Sequence, residues 1–166
     1  ENPHQEGAIY SSKYLGLEKL NGKQLSFNNY SDIFAALQIS KTFPKGKGTV
    51  IVKHGNPCGI SVHNNNTESF ILAHKCDPIS AFGGIVSCNF KINKTLATQI
   101  NKLFFEVIIA NGFEKNALRI LKAKKNLRLI DASKFSFNKT IKFNSINESF
   151  LVQSEDDEVF SKSINT

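Results

Sequence analysis

Four short apolar runs, separated by segments of helical periodicity, constrain the fold more than any other feature of this chain. They are Thr49-Val50-Ile51-Val52, Ile85-Val86-Ser87-Cys88, Val107-Ile108-Ile109-Ala110 and Leu127-Arg128-Leu129-Ile130. Each is too short for a helix and apolar enough for a buried strand. The spacing predicts a helix over 31–43, with Asp32 in its first turn and Ile33, Ala36 and Leu37 on one side. Asn65, with Glu68 three residues on, has the pattern of a capping box. The helix it opens carries Phe70, Ile71 and His74 and ends before Asp77-Pro78, because the residue preceding proline disfavours helical geometry. Asn93 caps a third helix whose Leu96, Ile100, Leu103 and Phe104 share a face. Asn111-Gly112 then turns the chain into a fourth helix, over about 113–125.

This alternation predicts an α/β layered fold, with parallel pairing of the central strands as the default for such crossovers. The α/β unit is expected to occupy 1–132. Residues 133–166 begin a different segment, in which Phe135, Phe137, Ile141, Phe143 and Leu151-Val152 read as strand-like. The run Glu155-Asp156-Asp157-Glu158 reads as a solvated stretch.

Composition excludes some classes. No run approaches the roughly 18 apolar residues of a membrane span, so no membrane partner is expected. The opening Glu1-Asn2-Pro3-His4-Gln5 lacks the apolar core of a signal peptide. Three cysteines, Cys58, Cys76 and Cys88, are odd in number and not spaced as a disulfide framework. They point to a reducing, cytoplasmic setting. The chain contains no Met, which reads as part of a longer protein. Its net charge of +7 suits nucleic acid, folate and phosphorylated metabolites equally, so charge does not choose among them. Lys115, Arg119, Lys122, Lys124, Lys125 and Arg128 form a basic run, but Ala117, Leu118 and Leu121 give that helix an apolar side. The basic residues are therefore expected on its solvated face. No aromatic platform is interleaved among them, so nucleic acid is not the expected partner.

Two segments carry candidate chemistry. Lys53-His54-Gly55-Asn56-Pro57-Cys58-Gly59 directly follows the first strand, and loops at the carboxyl ends of strands are where open α/β sheets place ligands. Gly55, Pro57 and Gly59 argue against continuation of the strand, so Lys53 and His54 are expected to turn toward one cleft. A neighbouring ammonium disfavours charging of the imidazole, leaving His54 able to accept a proton while Lys53 stabilises a developing oxyanion. A surface lysine beside a hydrogen-bonded loop histidine is the alternative. The second segment, Asp77-Pro78-Ile79-Ser80-Ala81-Phe82-Gly83-Gly84, ends in paired glycines that let backbone approach a ligand and present N–H groups. A tight turn feeding the next strand explains them equally well. No metal site is expected. Pro57-Cys58 resembles the start of a zinc-deaminase P-C-x-x-C element, but Ser61 stands where the second Cys belongs and no H-x-E precedes it.

These segments, taken in order with Gly22-Lys23-Gln24-Leu25-Ser26-Phe27-Asn28-Asn29, Glu106-Val107-Ile108-Ile109-Ala110 and Lys124-Lys125-Asn126-Leu127-Arg128, resemble the first half of the AICAR transformylase domain of the bifunctional purine biosynthesis family. The resemblance implies formyl transfer from 10-formyl-tetrahydrofolate to the 5-amino group of AICAR, in a longer protein that also carries IMP cyclohydrolase. It implies Lys53 and His54 as the catalytic pair, and substrate contacts from His54, Asn56, Gly83 and Glu106. The fold it implies is a cytidine-deaminase-like α/β sandwich without the zinc, one of two such units, in a homodimer. The implied partners are AICAR and folate.

The chain also departs from the family pattern. Glu1-Asn2-Pro3-His4-Gln5 resembles the family as well, but the Arg-Tyr-Gly that precedes that segment in the family is not in the chain. Asn111 replaces a usual proline, and Glu148 and Ser149 replace glycines, which puts the turn there in question. A degenerate nucleotide-binding or oligomerisation module without catalysis is the rival expectation.

Overall fold

A computed structural model describes residues 4–11, 14–137 and 141–154. Glu1, Asn2 and Pro3, and the acidic run at 155–158, lie outside the described residues. The chain divides into two compact units, Glu1–Phe135 and Ser136–Thr166.

The first unit is an α/β fold built on a six-stranded mixed sheet. Its elements in chain order are β1 (Glu18–Asn21), α1 (Phe27–Ser40), β2 (Gly48–Lys53), β3 (Asn56–Val62), α2 (Asn66–Cys76), β4 (Ile85–Cys88), α3 (Lys94–Asn101), β5 (Val107–Ala110), α4 (Lys115–Leu121) and β6 (Arg128–Asp131). The strands lie in the order β1-β6-β5-β4-β2-β3. Parallel pairing holds for β4–β5 and β5–β6, which are joined by helical crossovers. It fails at β2, which runs antiparallel to both β4 and β3. The asparagine caps at the helix starts form: Asn65 Oδ1 accepts from Thr67 N and Glu68 N, and Asn93 Oδ1 accepts from Leu96 N. The capping box expected at Asn65 is only half made, because Asn65 N donates to His63 Nδ1 and not to the Glu68 side chain. α1 starts earlier than the apolar spacing suggests. Ser26 caps it, with Ser26 Oγ accepting from Asn29 N and Asn29 Oδ1 accepting from Ser26 N.

The central strands are buried along their length, and their alternate residues feed two layers. Ile51, Val86, Cys88, Ile108 and Leu129 join Phe70 and Ala73 of α2, Leu96 and Ile100 of α3, and Ala117 and Leu121 of α4 in one core. Ser87, one residue out of phase, meets Ser40 at the end of α1 with 2.9 Å between hydroxyl oxygens. This places α1 on the other face. Phe104, expected on the buried face of α3, follows the helix and is exposed, packed against Phe82 with ring centroids 5.0 Å apart.

The strand at β2 does not end in an open loop, as its glycines and proline suggested. Lys53 pairs with Asn56 across a two-residue turn, and β3 returns along the sheet edge. Pro57 is tolerated because β3 is an edge strand and the register shifts between Ile51 and Val52, so the missing N–H costs no ladder bond in a central strand. In the second unit β7 (Ile141–Ile146) and β8 (Ser149–Ser154) form an antiparallel hairpin. Its turn closes despite Glu148 and Ser149, because Asn147 takes the left-handed conformation with φ 50° that asparagine tolerates. Phe135 and Phe137 belong to no strand; Phe135 packs on Phe34 of α1.

Candidate active site

Sheet pairing brings the singled-out segments to one edge. Val52 of β2 stands opposite Ile85 of β4, Ile85 opposite Val107 of β5, and Val107 opposite Arg128 of β6. Residues after β2 and residues before β4, β5 and β6 therefore share one end of the sheet. β2 and β1 present their carboxyl ends there, β1 because it runs antiparallel to β6 with Asn21 opposite Leu129; the three parallel strands present their amino ends. The carboxyl-end rule for open sheets thus describes the Lys53–His54 turn but not its neighbours.

Lys53 is the last residue of β2, and its Nζ donates to Phe82 O at 2.8 Å. That bond ties the ammonium to the Phe82-Gly83 turn and leaves two of its three N–H donors uncommitted by this contact. His54 is exposed and sits at φ 54°, followed by Gly55 at φ 75°. Two successive positive φ values across a two-residue hairpin loop are the signature of the tight turn that matches strand twist. Glycine takes the second position without penalty. A histidine at the first costs on the order of 1–3 kcal/mol, which contacts from its surroundings must offset. Asn56, first in β3, donates from Nδ2 to His54 O at 3.0 Å.

Gly83 also has a positive φ, 75°. Its N–H is not presented outward: it donates to Phe104 O at 3.0 Å, while the Gly84 N–H donates to Ala81 O at 3.0 Å. The glycine pair fits a close backbone approach; a Cβ on Gly84 would stand 2.9 Å from Val52 O. The turn before it is held by Asp77, whose Oδ1 accepts from Ser80 N at 2.9 Å. Hydrogen bonds from the Ser80 side chain and backbone hold the Asp77 carboxyl below the ordinary carboxylate range.

Glu106 continues this edge. Its N–H donates to Gly84 O at 3.0 Å, and its carbonyl accepts from Arg128 N at 3.1 Å. Its carboxylate accepts from Asn29 Nδ2 at 3.1 Å and lies 3.7 Å from Arg128 Nη1. Beside it opens a cavity of about 650 Å³ lined by Lys23, Asn29, Phe104, Glu106, Lys124 and Arg128, among others. Lys53 and His54 are not among its lining residues. Lys124 and Arg128 therefore do not lie on the solvated helix face expected of the basic run. They follow α4, and Lys124 Nζ donates to Leu103 O at 2.6 Å.

Sequence reasoning missed the role of α1. Asn29 closes its capping box with Oδ1 and grips Glu106 with Nδ2. One turn later, Asp32 accepts from Gly55 N at 2.6 Å and from His54 N at 3.3 Å. The three-residue spacing that puts both on one helix face was readable; their partners were not. Cys58, in β3 beside this turn, has its thiol pushed up by burial first and then by the Asp77 carboxylate. Among the described residues no group of three His, Cys, Asp or Glu could hold a metal ion, and no helix is long and apolar enough to cross a membrane.

Comparison with known proteins adds the family context. The family model described as the AICARFT/IMPCHase bienzyme matches residues 1–166. The bifunctional purine biosynthesis protein PurH of Aquifex aeolicus is 39% identical over 167 residues, which cover 98% of this chain and 33% of that protein. Its Bacillus cereus counterpart is 41% identical over 163 residues, covering 94% of this chain and 32% of that protein. The chain spans about a third of the length of these relatives.

Proposed function

This chain belongs to the AICARFT/IMPCHase bienzyme family, and from that membership we propose that it carries the Lys53–His54 part of a formyltransferase site in purine biosynthesis. The reaction is formyl transfer from 10-formyl-tetrahydrofolate to AICAR. The 5-amino nitrogen bonds to the formyl carbon, and the bond from that carbon to N10 of the folate breaks. The surplus proton of the amine leaves by way of His54, and N10 takes up a proton to give tetrahydrofolate. Lys53, at hydrogen-bond distance from Phe82 O, keeps donors for the negative charge that grows on the formyl oxygen. His54 and Asn56 lie against the nucleotide, Gly83 lets its backbone approach, and Glu106 binds the aminoimidazole part.

The observation that carries this reading is the convergence of the Lys53–His54 turn, the Gly83-Gly84 turn and Glu106 on one sheet end, linked by Lys53 Nζ to Phe82 O and by Glu106 N to Gly84 O. Residues 1–132 are, in this reading, one cytidine-deaminase-like sandwich of the transformylase domain, and 133–166 lead into the next part of that domain. The longer protein also carries IMP cyclohydrolase and works as a cytoplasmic homodimer. The folate is the formyl-donating substrate, and no metal takes part.

The test is tetrahydrofolate release from 10-formyl-tetrahydrofolate with AICAR, using the full-length gene product that contains this chain. His54→Ala is expected to lower kcat by about 10²- to 10⁴-fold, the usual contribution of a positioned proton acceptor. A folded wild-type protein without turnover would move the non-catalytic nucleotide-binding module to the front.

A further inference from the structure

We infer that Asp32 is a positioning residue that holds His54 in its left-handed turn, and thereby sets the direction in which the imidazole meets its substrate. The inference rests on the proposed role of His54 in formyl transfer. It starts from a conformational outlier: in the described first unit, His54 is the one non-glycine residue with positive φ. Such an outlier persists where neighbours over-determine it, and it points from geometry toward function.

The neighbour that does so is Asp32. Its two carboxylate oxygens divide the work, Oδ1 accepting from Gly55 N at 2.6 Å and Oδ2 from His54 N at 3.3 Å. The two N–H groups at the apex of the β2–β3 turn thus converge on one anion, a charge-assisted arrangement stronger than a neutral pair of bonds. The aspartate is itself fixed. It lies between Ser31 and the fully buried Ile33 in α1, a helix packed on β2 and β4. Asn56 Nδ2 braces the other side of the turn through His54 O at 3.0 Å. His54 is thus set by backbone contacts on both sides, and its side chain stays exposed. Gly55 adds no steric support, since a Cβ there would meet nothing within 4 Å.

The experiment compares wild type, Asp32→Asn and Asp32→Ala in the full-length protein by kcat and KM for AICAR, and by hydrogen exchange of the peptide spanning 53–56. Asn keeps one oxygen acceptor and Ala keeps none, so the two variants grade the loss. Asp32→Ala is expected to lower kcat by about 100-fold, the scale of a displaced catalytic group, while KM for AICAR changes far less. Exchange at His54 and Gly55 rises in step, and Asp32→Asn falls between. In a His54→Ala background, Asp32→Ala is expected to cost little more, because both changes act through one group. Wild-type kcat in a folded Asp32→Ala variant, unchanged exchange at 53–56, or full additivity with His54→Ala would each overturn the inference. A wild-type protein that transfers no formyl group would overturn the functional reading instead. Exchange alone would then decide whether Asp32 holds the turn.

Discussion

The three thiols of this chain occupy three environments that chemistry can sort. Cys88 is buried in β4, and burial pushes its thiol up to about 12 against the opposing hydrogen bond from Thr49. Cys58 is half-buried and raised as well, by burial and then by Asp77. Cys76 is exposed at the end of α2. Thiolate is the reactive form, so raising the pKa lowers the reactive fraction at any pH below it. At about pH 8, iodoacetamide is expected to modify Cys76 first and Cys58 more slowly, leaving Cys88 untouched until the protein unfolds. Mass spectrometry of a labelling time course checks the order. Native Cys88 reacting as fast as Cys76 would contradict the burial described for β4.

At the scale of elements, the edge strand β3 depends on a glycine for contact with the helix that covers it. A Cβ on Gly59 would collide with the backbone carbonyl of Ala73 in α2 and stand 3.0 Å from Cys76 Cβ. Backbone cannot swing aside as a flexible side chain does, so α2 would have to lift from β2 and β3. Gly59→Ala is expected to destabilise the fold by about 1–3 kcal/mol, the range for overpacking a tight contact. A lowered Tm with native circular dichroism below it is the expected signature; an unchanged Tm would mean the helix shifts at no cost. The turn at the other end of the same strand shows a different device. There the chain accepts strain at His54 and offsets it with Asp32 and Asn56.

At the scale of the whole chain, the two compact units differ in how much they bury. The first holds a continuous core around its central strands. The hairpin of the second has every residue of both strands exposed, including Phe143, Phe150, Leu151 and Val152. A lone two-stranded hairpin is marginally stable in water. In the isolated 166-residue chain, amides of β7 and β8 are therefore expected to exchange much faster than those of β4, β5 and β6. Hydrogen–deuterium exchange resolves the two sets directly, and equal protection in both would show that the hairpin is held by contacts beyond its own ladder.

What the amino-acid sequence determined by itself was whatever depends on neighbours within a turn or two. The four buried strands, the asparagine caps at Asn65 and Asn93 and the halt before Asp77-Pro78 follow from local side-chain chemistry. The Lys53–His54 and Gly83-Gly84 candidates were visible as motifs for the same reason. Tertiary structure decided the pairings, because a hydrogen bond between distant segments leaves no periodic trace in either one. The antiparallel entry of β2 beside β4 placed the Lys53–His54 turn at the amino ends of the parallel strands. Closure of β1 onto β6 brought Gln24 O to Arg128 Nε. Asn29 reached Glu106 across 77 positions, and Asp32 reached Gly55 across 23. An asparagine that caps a helix and one that also grips a carboxylate read alike in sequence; they differ only in what the folded sheet sets before them.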